Sequence, residues 1–144
     1  KGIPILYVVV TFRPGFPEIS PNNKSFSAIR QNQAGFADPK AMEIYQDIAP
    51  EEGDIVVTKR RVSAFAGSDL EVLLRSLGIT RLVLSGIATS GVVLSTLREA
   101  ADKDYQLTVL SDCCADMDAE VHRDLLSKVF PRQADVVTAA EWMR

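Results

Sequence analysis

A single histidine, His122, and two adjacent cysteines, Cys113 and Cys114, are all the imidazole and thiol side chains that this chain of 144 residues offers. A histidine pair for a metal is excluded. Neighbouring cysteines make no disulfide framework, and free thiols fit a reducing compartment. Although 47% of the residues are hydrophobic, no apolar run reaches the length of a membrane span. A basic excess is missing too: 16 Lys and Arg against 19 Asp and Glu give a net charge of -3, which leaves no field to attract nucleic acid. The opening Lys1-Gly2-Ile3-Pro4 lacks the basic, apolar and small-residue regions of an export signal. These absences together predict a cytoplasmic protein with no membrane contact and no nucleic-acid partner, and no cofactor is expected.

What is present is one domain's worth of alternating elements, residues 1–144, with no repeat or linker. Ile5 to Thr11, Ile55 to Thr58, Leu82 to Ser85, Leu107 to Leu110 and Asp135 to Thr138 are short, β-branched and apolar on both faces, the pattern of parallel strands covered on both sides. Leu70, Leu73, Leu74 and Leu77 make one helical stripe, and Val121, Leu125 and Val129 another. This alternation predicts a three-layer α/β/α sandwich around a mostly parallel sheet. Lys1-Gly2 reads as the end of a helix, so a first strand and helix of the fold are expected upstream, outside this sequence. The stretch Phe12 to Asp38, rich in Pro, Gly and Asn, reads as a long loop, either a lid or a connection.

Chemistry concentrates at Leu82 to Thr96, LVLSGIATSGVVLST, where a strand runs into a helix N-terminus. Free backbone N–H groups and the positive helix end converge at such a junction and favour negative charge. Gly86 releases the chain, Thr89 or Ser90 can cap, and Val93, Leu97, Ala100 and Ala101 carry the helix. Ligands of parallel sheets bind beyond the carboxyl ends of the strands. That rule selects Thr11, Arg13, Lys59, Gly86 to Val92, and Asp112 to Cys114. Lys59 can present a cation to a pocket, although Lys59-Arg60-Arg61 taken alone reads more simply as a solvated basic turn. Arg13 can grip a carboxylate, or it is an exposed loop residue. GIATSG lacks the G-x-S-x-G spacing of a nucleophile elbow, and His122 is expected on the polar flank of a distant helix, so a Ser-His-Asp hydrolase is not expected. Cys113 or Cys114 is a thiol nucleophile at the sheet edge or a small buried hydrophobe. Phe130 and Trp142 read as core or interface aromatics.

TKRRVSAF at Thr58 to Phe65, the helix SDLEVLLRSLG, the junction LVLSGIATSGVV and the segment VLSDCCADMDAEVH resemble the isochorismatase-like hydrolase superfamily, from Ile3 to Trp142. The resemblance implies a Rossmann-like α/β fold, a homo-oligomer (dimer or tetramer) and a small-molecule substrate. By motif position it makes Lys59 the catalytic lysine, although Val62 stands where the family often has tyrosine. It implies a cis peptide at Ile87-Ala88 and an oxyanion hole from the N–H groups of Ala88 and Val92, with Thr89, Gly91 and Arg13 lining the substrate site. The family's catalytic aspartate belongs to the first strand, so no residue here is named for it. The nucleophilic cysteine falls on Val92, which closes a thioester route. The nicotinamidase Asp-x-His metal segment has no counterpart in TFRPGFPEIS, and no metal is implied.

Two functions follow. One is a hydrolase of a small amide, vinyl ether or carboxylated ring substrate that works without the cysteine by acid-type chemistry. True isochorismatases also lack the thiol and carry a T-x-x-P-G segment like Thr11 to Gly15, but Ala88 replaces their aromatic residue, so the implied substrate differs from isochorismate. The alternative is a catalytically silent ligand-binding or scaffold protein on the same fold.

Overall fold

The computed structural model describes residues 2–32 and 43–144, and the chain divides into two compact units, Lys1–Arg61 and Val62–Arg144. In the first unit, β1 (Leu6–Val10) and β2 (Ile55–Lys59) pair in parallel, from Leu6 opposite Ile55 to Val10 opposite Lys59. Their Val, Ile and Thr side chains are stiff at χ1 and pack well on a pleated surface, which favours extension. Because side chains alternate along a strand, Val57 and Lys59 share one face of β2. Both are buried, at 0% and 7% exposure, while Val56 beside them is 50% exposed.

The stretch expected to be a loop contains a helix, α1 (Lys24–Asn32). Asn23 starts it, its Oδ1 accepting a hydrogen bond from the Phe26 N–H at 3.1 Å. Phe26 anchors it, buried and edge-on to the Phe12 ring with centroids 5.7 Å apart. Residues 33–38 of that expected loop lie outside the described residues.

In the second unit, β3 (Arg81–Ile87), β4 (Gln106–Ala115) and β5 (Asp135–Val137) form a parallel sheet with β4 central. Helices α2 (Leu70–Ser76), α3 (Leu94–Asp102), α4 (Ala119–Asp124) and α5 (Ala139–Trp142) alternate with them along the chain. α2 buries Leu70 and Leu74, α3 buries Leu97 and Ala100, and Leu107 and Val109 of β4 are buried between neighbours. Phe130 is fully buried, whereas Trp142 stays 38% exposed.

Two expectations change here. β3 is not covered on both faces: Val83 is 38% and Ile87 77% exposed, and among the described residues the strand pairs with β4. β4 does not stop at Leu110. Its partners jump from Leu84 opposite Val109 to Gly86 opposite Cys114, so an irregularity lets the strand run on to Ala115. Asp112, Cys113 and Cys114 therefore lie within β4, and the residues beyond its carboxyl end begin at Asp116.

Candidate functional site

The carboxyl ends of β1 and β2 carry a cluster of cations. Lys59 follows the core-facing side of β2 and is buried, not a member of a solvated basic turn. Its ammonium donates to the Arg61 carbonyl, and among the described residues no carboxylate pairs with it. Burial pushes its pKa down, since a desolvated ammonium is disfavoured against the neutral amine. Arg60 donates to both the backbone carbonyl and the hydroxyl of Thr11, tying the two strand ends together. Arg61 donates to the Glu18 carbonyl at 2.7 Å and lies over the Phe26 ring. These two arginines are spent on structure. Arg13 differs: its side chain is 67% exposed, with one ion pair to Glu18 at 2.6 Å. It is an exposed loop residue whose guanidinium retains donors for a ligand.

In the second unit the chain leaves β3 through Gly86, whose φ of 126° is a conformation that L side chains rarely adopt. The Ile87–Ala88 peptide is cis, and a wide helical turn, Thr89–Val93, leads into α3. Gly91 and Val93 donate backbone N–H bonds to the Ala88 carbonyl at 3.0 and 3.3 Å. Neither Thr89 nor Ser90 caps this turn with its side chain. The cap comes from beyond β4 instead: the Asp116 carboxylate accepts the Ser90 N–H at 2.7 Å. A hydrogen bond from the Ser90 side chain, then this one from its N–H and others from the Asp118 and Met117 backbone, hold the Asp116 pKa down at about 2.

Thr89 is fully buried, and its hydroxyl meets Nδ1 of His122 at 2.8 Å. His122 is thus not merely on the polar flank of a helix, but holds the turn from α4. Sequence spacing could not show this, because the partners are 33 residues apart. The clue that was there is the Asp116-x-Asp118 pair just before α4. Asp118 caps α4 by accepting the Glu120 and Val121 N–H groups, both at 3.0 Å.

The surroundings of the cysteines disfavour the thiolate. Cys113 is exposed and Cys114 half-buried. Desolvation, followed by the Asp112 charge, pushes the Cys113 pKa up; burial does the same for Cys114. Among the described residues no group of three or more His, Cys, Asp or Glu side chains comes together to hold a metal ion, and no helix is long and apolar enough to cross a membrane.

A parallel α/β architecture with its chemistry at carboxyl strand ends defines a class, and comparison with known proteins narrows it. The isochorismatase domain matches residues 1–141, and the chain belongs to the isochorismatase family. The uncharacterised isochorismatase family protein YwoC of Bacillus subtilis is 34% identical over 139 residues, covering 96% of this chain and 72% of that protein. The ureidoacrylate amidohydrolase RutB of Methylobacterium radiotolerans is 33% identical over 141 residues, covering 89% of this chain but 55% of that enzyme. Among solved structures, an isochorismatase family protein from Burkholderia thailandensis superposes with a TM-score of 0.81 at 32% identity, over 96% of this chain and 71% of that one. The fold is therefore the isochorismatase-like α/β/α fold.

Proposed function

We propose that residues 1–144 work as one isochorismatase-like domain that hydrolyses a small substrate carrying a carboxylate and a C–N bond of amide type. The observation that carries this reading is Lys59: a cation buried on the core face of a strand, without a carboxylate partner among the described residues, serves packing poorly. A lysine whose pKa is lowered by desolvation gives up its proton more readily than a solvated one, which suits it to proton transfer. Arg13 supplies an exposed guanidinium for the substrate carboxylate. Ureidoacrylate, named in a relative's activity, is a carboxylate with such a bond, which favours an amide over a vinyl ether.

In this reading the N–H groups of Ala88 and Val92 stabilise the developing oxyanion, with Gly91 and Thr89 shaping the turn beneath them. Asp116 already occupies the Ser90 N–H. Backbone donors do not depend on side chains, so Val92 in the place of the family's cysteine leaves them intact while removing the thioester route. Water then adds to the carbonyl directly, and the amine leaves protonated. The functional protein is a homo-oligomer, dimer or tetramer, which light scattering on a gel-filtration column measures.

The test is a screen of the protein against small carboxylated amides, ureides and vinyl ethers. Turnover that survives Cys113→Ser with Cys114→Ser but collapses in Lys59→Ala supports the hydrolase. Turnover abolished by the cysteine pair overturns the thiol-free route. Saturable binding with no turnover of any substrate instead supports the silent binding protein.

A further inference from the structure

We propose that His122 is a positioning residue, which acts through the Thr89 hydroxyl to fix the backbone of the Ala88–Val92 turn. The proposal rests on the reading of that turn as the oxyanion site. A hydroxyl 2.8 Å from an imidazole nitrogen at a helix N-terminus looks at first like a nucleophile and its base. Burial decides against that. Thr89 has 0% exposure, so no substrate atom reaches its oxygen, and the bond can act only on the backbone that carries it.

The geometry is a two-point clamp from one segment onto two consecutive residues. His122 holds the side chain of Thr89, and Asp116 holds the N–H of Ser90 at 2.7 Å. A single contact would leave the turn free to pivot, whereas two adjacent ones fix both its place and its orientation. The clamp is itself braced. Asp116 accepts the Asp118 N–H at 3.2 Å, Asp118 caps α4, and the Asp118 carbonyl accepts the His122 N–H at 2.9 Å. Each link leads from the carboxyl end of β4 to the imidazole. With Ser90 taken by Asp116, a ligand's charge is confined to the donors on either side, Ala88 and Val92. Thr89 and Ser90, the two clamped residues, lie in the chain between Ala88 and Val92, so the aim of those donors depends on the clamp, and misplacement of such donors weakens charge stabilisation steeply.

The test uses a thiol as a reporter of the turn. Val92→Cys, placed in a chain carrying Cys113→Ser and Cys114→Ser, gives a single thiol whose pKa is read from the pH dependence of alkylation by iodoacetamide. A turn that favours negative charge lowers that pKa below the ordinary value of about 8.5. Thr89→Val, which keeps the shape and loses the hydroxyl, and His122→Ala should each slow alkylation at neutral pH by about tenfold, one unit in thiol pKa. Combining them should do no more than either alone, and His122→Asn, which keeps a hydrogen-bonding atom near the place of Nδ1, should restore most of the rate. A lowered thiol pKa that neither variant moves overturns the proposal and leaves the turn reading standing. An ordinary thiol pKa in the reporter chain overturns that reading, and the proposal with it.

A second measurement needs no variant that must fold. His122 is the only histidine, so its two ring nitrogens give an unambiguous nitrogen spectrum in the unaltered protein. A single locked tautomer at neutral pH is the expected result. An averaged mixture of the two tautomers, as in a free imidazole, overturns the proposal.

Discussion

The carboxyl ends of the strands in the two units handle charge by opposite means. After β1 and β2 the charge sits on side chains: Arg13 and Arg60 pair with the Glu18 carboxylate, while Lys59 and Arg61 donate to the backbone carbonyls of Arg61 and Glu18. After β3 it meets the backbone: the Asp116 carboxylate accepts the Ser90 N–H of a turn that His122 also holds through the Thr89 hydroxyl. Side chains can be swapped one at a time, so in the proposed reading the first region is where a substrate preference can drift. The backbone turn is common property of several residues, and it survives the presence of valine at position 92.

The largest expected effect breaks the comparison at Lys59. Lys59→Met should lower turnover by about 10²–10⁴-fold, the range for removing a positioned proton donor or acceptor. Thermal stability should hold or rise, because an apolar side chain replaces a desolvated cation that has no carboxylate partner among the described residues. A melting curve beside an activity assay separates the two. Loss of stability together with activity would mark Lys59 as a structural tether through the Arg61 carbonyl.

Next comes Gly86, where the backbone region is most constrained. With φ at 126° and nothing within 4 Å of an added Cβ, Gly86→Ala meets no clash and is penalised through conformation alone. The cost should be about 1–3 kcal/mol in urea unfolding. An unchanged midpoint would mean that the turn relaxes, and that its donors are not held as firmly as the clamp suggests.

Much of this was legible in the residues, and the failures share a cause. The strands showed because β-branched runs stand out against polar surroundings, and Gly86 showed because it ends an apolar run. α1 was hidden behind Pro21, Asn22 and Asn23, where turn-forming residues disguised a capping asparagine. The carboxyl end of β4 was hidden because Ser111 to Cys114 are polar or small, although sheet pairing extends through them. The burial of Lys59 was masked by two following arginines, since a run of cations reads as surface unless strand alternation is followed to its last residue. The bond from His122 to Thr89 left no local trace at all, because it depends on where two distant segments end.

A smaller effect belongs to Arg13. Arg13→Ala should raise KM for carboxylated substrates about tenfold or more, in line with a lost charge-assisted hydrogen bond, and leave neutral amides unaffected. Stability should change by less than about 1 kcal/mol, because the pair with Glu18 is largely exposed on the arginine side. Equal losses for charged and neutral substrates would assign Arg13 to loop structure.

The smallest effect concerns acid and belongs to the braced turn alone. The Asp116 carboxyl lies at about 2 in the folded protein against 3.8 ordinarily, chiefly because it accepts hydrogen bonds from Ser90. A depressed carboxylate pKa means that the folded state binds its proton less readily than the unfolded chain. Its contribution to stability is therefore complete above about pH 4 and disappears as pH falls through about 2. Asp116→Asn removes the titration, so between those limits its unfolding midpoint should depend less on pH than that of the parent. The second unit should show the change, and the arginine cluster of the first should not, which amide hydrogen exchange resolves region by region. A variant whose acid limb runs parallel to the parent's would mean that the Ser90 bond is dispensable, and that His122 alone holds the turn.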